Sequence, residues 1–423
     1  MVNTRGKIRK TQHTRKTLFS QTSITESDHQ STDSGALVGS NEELLTEILL
    51  RLPVTSVLRF KSVSKHWLSL LSHRHFTKLY DKNSNSPGLF VRGLYVPFDV
   101  ENKRTPPIRK LDFVYDLKGL RIVQSCNGLL LCCSDLGHQR ARKYYVFNPT
   151  TKQFAIIPSV PGGTDVRKTI RFMGLAYNKE DCVHYKVLCI RRAKSNGVWF
   201  QNGDQDLFQI QIYSSDTGKW KILNDSFSTD YYTSFYSGVY WNGAIHWAPS
   251  CLDPLYFKLD VEHLEKLPLP PPLPGRVASF EGYFNEDTPI YFGESRGHLH
   301  MVLTAHDESY LHLIVYEMSS DHSGWFIKYQ VDLDELPDVY PEMIQCSYLD
   351  RSSRHYYEFE VLDVVRGENE ENSTFMVVRI PGKIIRYNVF DKSFNQIYDL
   401  RKVFYGYIGN SEVHRYTEAI TYF

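Results

Sequence analysis

Long apolar runs, paired cysteines and an excess of charge of either sign are all missing from this sequence of 423 residues. No stretch approaches the roughly 18 apolar residues that a membrane helix needs, and the first residues lack the apolar core of a signal peptide. A soluble intracellular protein, cytoplasmic or nuclear, is the expectation. The formal charge is +1, so no global field points to nucleic acid or to an acidic membrane surface as a partner. The seven cysteines are Cys126, Cys132, Cys133, Cys182, Cys189, Cys251 and Cys346. Their number is odd, their spacing irregular, and no C-x-x-C pair occurs, which argues against a disulfide framework or a zinc ribbon. Most sit in apolar runs such as GLLLCC, where free Cys acts as a small buried hydrophobe, as a reducing compartment permits.

Catalytic signatures are missing too. There is no G-x-S-x-G, phosphate-binding glycine loop, H-E-x-x-H or kinase motif, so the chain is expected to be no enzyme and to need no cofactor. His298, His300, His306 and His312 are the best metal candidates, since His298 and His300 point to one face of a strand. No carboxylate or Cys stands beside them at a fixed ligand spacing. They are read as surface or structural histidines, with no metal. Glycosylation-type triplets at Asn224 and Asn372 are read as accidental.

What the sequence does have is aromatics, 14% of residues, with 28 Tyr and 24 Phe, and these favour pleated, half-buried surfaces. Residues 1–39 are rich in Ser, Thr, Gln and Gly and carry Arg5, Lys7, Arg9, Lys10, Arg15 and Lys16. They read as a disordered basic tail, with nuclear import as the functional alternative.

Residues 40–80 read as three short helices. Ser40 followed by Glu43 has the form of a capping box. Leu44, Leu45, Ile48, Leu49 and Leu52 then share one wide helical face up to Pro53. Val57, Leu58 and Phe60 form a second apolar run, and Val63, Trp67, Leu70 and Leu71 a third. About forty residues cannot bury this much aliphatic surface alone, so a partner is expected; helices padding a β-rich body would show the same pattern.

After a linker at 81–88, DKNSNSPG, residues 89–423 alternate short apolar runs with turns. One phrase recurs: VFNPTTKQF at 146–154, IYSSDTGKW at 212–220 and RYNVFDKSF at 386–394, with looser copies near Tyr256 and Tyr316. Each copy has a strand ending, turn-forming residues, then a Lys and an aromatic that open the return strand. Each follows another apolar strand, and roughly 335 residues at about 50 per unit suggest a β-propeller of about six blades. The last strand, Arg415–Phe423, is expected to close the ring beside Leu89–Leu94. The run Leu267–Pro274 reads as a stiff connection between blades or a polyproline ligand, and 368–373 as an acidic loop tip.

The run from Glu43 to Trp67, E-L-L-x-E-I-L-x-R-L-P-V-x-S-x-L-R-F-x-x-V-S-K-x-W, resembles the F-box. Where that family usually has Leu-Pro ahead of the acidic residue, this chain has Ser40-Asn41. The phrases CNGLLLC, YVFNPTTKQF, GVYWNGAIHW and RYNVFDKSF resemble the F-box-associated, kelch-like domain of plant F-box proteins. The resemblance implies a substrate-recognition subunit of a Skp-cullin-F-box ubiquitin ligase. The F-box would dock a Skp-type adaptor, and through it cullin, while the β domain holds a target protein for ubiquitination and degradation. The positions it matches are Leu44, Leu45, Ile48, Leu49, Leu52, Pro53, Val57, Leu58, Val63 and Trp67. The alternative is a propeller module for a small molecule or glycan. The expected fold class is α+β multidomain: a small three-helix unit followed by a mainly-β propeller.

Overall fold

The computed structural model describes residues 39, 41–82, 88–98, 120–134, 142–162, 169–178, 184–194, 207–229, 235, 237–248, 254–271, 288–305, 307–367, 373–400 and 412–421. The basic tail through residue 38, Ser40, Cys182, Cys251, Pro272–Pro274, His306 and the acidic residues 368–372 lie outside them. The chain forms two compact units, 1–51 and 52–423.

The first unit contributes helix α1, Glu42–Leu50. Its N-cap is Asn41 rather than the expected Ser40: Asn41 Oδ1 accepts from the N–H groups of Glu43 and Leu44, both at 3.1 Å. A side-chain carbonyl satisfies these orphan donors as well as a hydroxyl does. Three helices follow in the second unit, α2 (Val54–Phe60), α3 (Lys65–Ser72) and α4 (Arg74–Lys82). The module therefore has four helical segments where three were expected. The additional break falls at His73, whose backbone is extended and whose Nδ1 accepts from the His75 N–H at 3.3 Å, restarting the helix. Helix α4 enters the stretch 81–88 from one side, up to Lys82, and strand β1 (Gly88–Val91) enters it from the other.

From Gly88 on, the chain is a six-bladed β-propeller. Blade 2 runs from β3 (Leu120–Cys126) to β6 (Gln153–Ile157) and blade 3 from β7 (Ile170–Ala176) to β10 (Lys219–Ser228). Blade 4 runs from β11 (Val239–Trp241) to β14 (His263–Lys266). Blade 5 runs from β15 (Tyr291–Ser295) to β18 (Trp325–Asp332), and blade 6 from β19 (Glu360–Val365) to β22 (Phe394–Asp399). Each of these is a four-stranded antiparallel sheet in sequence order. Blade 1 is composite. Strand β1 pairs with β2 (Leu94–Pro97) on one side and with β23 (Val413–Tyr416) on the other, with Gly88 opposite Tyr416 and Val91 opposite Val413. The closing strand comes from the expected end of the chain but runs Val413–Tyr416 rather than Arg415–Phe423, and residues 417–421 lie outside it; closure removes the edge that an open sheet would expose.

Both faces of a blade are covered by neighbouring blades, so its inner strands read as continuous apolar runs. In β20 (Phe375–Ile380) every side chain is buried. Phe375 and Val377 pack toward blade 1, while Met376, Val378 and Ile380 pack toward blade 5, a period of two. Six such apolar clusters occupy the six blade interfaces.

The repeated phrase has a conformational cause. In every four-stranded blade the turn between third and fourth strands places its fifth residue in the left-handed region: Lys152, Gly218, Glu262, His322 and Lys392, with φ between 53° and 66°. In two copies the opening Asn folds back onto the turn. Asn148 Oδ1 accepts from Thr150 N–H at 2.9 Å, and Asn388 Oδ1 accepts from Phe390 N–H at 2.9 Å.

Candidate functional site

The ten positions matched to the F-box divide by exposure. Leu45, Leu49 and Val57 are buried; Leu44, Ile48 and Val63 are exposed at 50%, 47% and 62%. Leu52, Leu58 and Trp67 are half-buried and Pro53 is exposed. On α1, therefore, Leu45 and Leu49 form the inward stripe, and Leu44 and Ile48, one turn apart, form an outward one. Full burial of a leucine-sized side chain is worth about 1.5–3 kcal/mol, a gain that Leu44 and Ile48 do not make in this fold. On α3, Ser64 caps the first turn through Trp67 N–H at 3.1 Å. Trp67 meets Phe60 edge-on at 5.1 Å, which gives the half-buried indole a packing role. Leu68, exposed at 48%, was not among the matched positions.

Helix α4 is fastened to the propeller. Tyr80 Oη donates to Leu52 O at 2.9 Å. The fully buried Asp81 accepts from Ile420 N–H at 2.8 Å and from the Thr421 hydroxyl. Burial pulls the nearby Lys61 ammonium down to about 8, an effect that the Asp81 charge partly offsets. The chain beyond β23 is pinned in turn by blade 2, where Asn148 Nδ2 donates to the carbonyls of Ala419 and Thr421, each at 3.0 Å. A Cβ on Gly128 would collide with Ala419. Asp81 was read as linker; its partners lie some 340 residues away, beyond the reach of local pattern.

The inner strands carry a charged network. Tyr291 on β15 donates its hydroxyl to Asp363 Oδ1 on β19 at 2.7 Å. Arg415 on β23 donates through Nε to Asp363 Oδ2 at 2.9 Å and through Nη2 to Val364 O at 3.0 Å. Three blades are joined at one carboxylate. An Asp inside the apolar run EVLDVV was the legible clue, since a buried charge needs a partner.

His298 and His300, on β16 (His298–Thr304), do share a face. Contrary to the reading from spacing, a carboxylate stands beside them, because Glu317 arrives on the neighbouring strand β17 (His312–Met318). His298 Nδ1 lies 2.8 Å from Glu317 Oε1, and Arg366 Nη1 donates to Oε2 at 2.9 Å. Burial works to raise the Glu317 carboxyl, but His298, His300 and Arg366 outweigh it and hold it well below the usual carboxylate range. With Arg366 beside it, this is a balanced ionic core and not a seat for a cation. His312, Asp332 and Asp334 could gather round a metal ion. However, His312 Nδ1 already meets Asp307 at 2.8 Å and Nε2 meets Asp334 at 3.0 Å, while Lys392 holds Asp332 at 3.0 Å.

A second histidine pair joins blades 4 and 5. His246 Nε2 and His322 Nε2 face each other at 2.9 Å, with ring planes within 8°, and Tyr256 stacks on His322 at 4.6 Å. Burial, and then the charge on His322, pull the His246 imidazole down to about 3. One ring must donate and the other accept, so the contact needs at least one neutral ring.

The proline run is in part a packed connection: Leu267 is buried and Trp325 Nε1 donates to Pro268 O at 2.8 Å. The described cysteines are all free, and four of the five, Cys126, Cys132, Cys133 and Cys189, are buried. No described helix is long and apolar enough to cross a membrane.

Residues 41–79 match the F-box domain, and residues 98–257 match the F-box associated beta propeller domain. An F-box protein of Arabidopsis thaliana is 33% identical over 397 residues, spanning 88% of this chain and 89% of the relative. Another F-box protein of Arabidopsis thaliana is 31% identical over 277 residues, 62% of this chain and 71% of that protein.

Proposed function

Because this chain belongs to the F-box proteins that carry an F-box associated β-propeller, we propose that it is a substrate receptor of a Skp-cullin-F-box ubiquitin ligase. The helices dock a Skp-type adaptor and, through it, cullin. The propeller holds a target protein for ubiquitination and proteasomal degradation. Catalysis in such an assembly is proximity: a target lysine is kept at high effective concentration near an active site on another subunit. The observation that carries this reading is the outward stripe of α1, where Leu44 and Ile48 stay in water on a helix whose other face, Leu45 and Leu49, is buried. Of the ten matched positions, we assign Leu44, Ile48 and Val63 to the adaptor and Leu45, Leu49 and Val57 to holding the module together. The alternative of a small-molecule module has no observation of its own among the described residues.

The test is a pull-down of the full chain with a Skp-type adaptor, using Leu44→Asp and Ile48→Asp. Both should lose the adaptor while circular dichroism and thermal melting stay those of the parent. Leu49→Asp should lose the fold of the module itself. Undiminished adaptor binding by Leu44→Asp and Ile48→Asp together would refute the assignment.

A further inference from the structure

The propeller has two rims, and strand order decides what each carries. Neighbouring inner strands run parallel. Gln124 on β3 bonds the N–H and C=O of Leu175 on β7, and two residues on, Cys126 meets Tyr177. At the far end of β15 the Ser295 hydroxyl accepts from the Arg366 N–H, just past the end of β19. All turns between first and second strands, and between third and fourth strands, therefore share one rim. That rim includes Asn148–Lys152 and Gly128, where 417–421 and α4 are fastened. The opposite rim carries the connections between blades.

On that opposite rim, residues 333–358 between β18 and β19 form a framed insertion. It contains helix α5 (Leu336–Val339) and a 3₁₀ turn, Pro341–Met343. It is folded back on itself by a bridge between Ile344 and Tyr357 and by the Glu358 N–H donating to Met343 O at 2.8 Å. Leu336 and Met343 root it in the core between blades 5 and 6. Lys383 holds Glu342 at 2.5 Å, and Tyr310 N–H donates to Arg351 O at 2.9 Å, joining it to the tips of both blades. So rigid a frame nevertheless lifts Val339, Ile344 and Tyr348 into solvent, exposed at 56%, 38% and 84%. The insertion has six carboxylates against two arginines. Glu342, Glu358 and Asp334 are paired with Lys383, Arg379 and Arg351, which leaves Glu335, Asp338 and Asp350 without a salt bridge among the described residues. Asp338, next to Val339, has no cation partner among the described residues.

We infer that this sector of the rim, on the side away from α4, is the target-binding surface, and that its occupant is a basic segment of a target protein with apolar side chains among its lysines and arginines. The apolar tips would supply contact area and the carboxylates would select the charge. The inference rests on the substrate-receptor reading, and it adds where the target binds and what it looks like.

The experiment pans a phage-displayed random dodecapeptide library against the full chain bound to a Skp-type adaptor. It then compares the selected peptides on the parent and on a Glu335→Lys/Asp338→Lys/Tyr348→Ala variant. All three side chains are exposed, so the fold should survive, and an unchanged melting curve confirms it. Peptides that combine Lys or Arg with apolar residues, and that bind the variant at least tenfold more weakly, are expected. Acidic peptides, peptides that bind parent and variant alike, or no rim-dependent peptide at all would overturn the inference. Adaptor capture, measured on the same variant, should be unchanged. Loss of the adaptor by the parent chain would instead count against the substrate-receptor reading, whatever the peptides do.

Discussion

The helical segment and the propeller treat apolar surface in opposite ways. In α1, aliphatic residues one position apart have opposite fates: Leu45 and Leu49 are buried, Leu44 and Ile48 are not. In the propeller, residues one apart are both buried, because consecutive side chains of β20 pack into two different blade interfaces. An exposed aliphatic side chain on the helices is therefore the second face of an amphipathic element that has used only one. In the blades both faces are spent on neighbours, and exposed apolar groups occur at outer strands, turns and the insertion 333–358. The same residue type thus carries different information in the two regions.

The comparison breaks most severely if the fastening beyond the closing strand β23 fails. Deleting Thr417 to Phe423 removes Ile420 and Thr421 from Asp81, and Ala419 and Thr421 from Asn148. We expect an insoluble chain with no cooperative melt; a soluble truncation that melts like the parent would show that the blades hold without this fastening. Asp363→Ala should cost about 3–5 kcal/mol in urea denaturation, because it leaves Arg415 charged and almost buried without its partner. A loss below 1 kcal/mol would mean that solvent reaches the guanidinium.

Acidity should sharpen the comparison in the propeller alone. An unfolded imidazole takes a proton near 6.5, whereas His246 in the fold takes one only near about 3. Between these values the unfolded state binds more protons, so the His246 contribution is whole above pH 6.5 and is lost as the pH falls. Stability at pH 5 should be lower than at pH 8 by about 2 kcal/mol from this group. His246→Phe should flatten that dependence, and an unchanged slope would assign the acid sensitivity elsewhere. The smallest effect belongs to the helices. Asn41→Ala removes the acceptor for Glu43 and Leu44 N–H and should cost about 1 kcal/mol of helix stability, read as fraying of α1 by hydrogen exchange.

Much of the fold was legible because it is local. Helical spacing, the break at Pro53 and the repeated turn phrase each depend on residues within a few positions of one another. The phrase encodes one backbone event, a left-handed residue at the fifth position of its turn, and that event recurs in five blades. The errors were local as well. Asn41, and not Ser40, caps α1, since either side chain can serve and the choice depends on the path of the chain. His73 splits off α4 because its ring can act as a cap.

By itself, then, the sequence determined a helical module ahead of a closed ring of β-blades and the family to which both belong, since periodicity, turn chemistry and motif order are properties of neighbouring residues. Only the tertiary structure decided which leucines of α1 are buried and which rim of the propeller carries α4. It also brought Glu317 to His298, and Asp363 to Tyr291 and Arg415. Those pairings join residues 19 to 72 positions apart, and a strand reveals which way a side chain points but not what the next strand or blade sets against it.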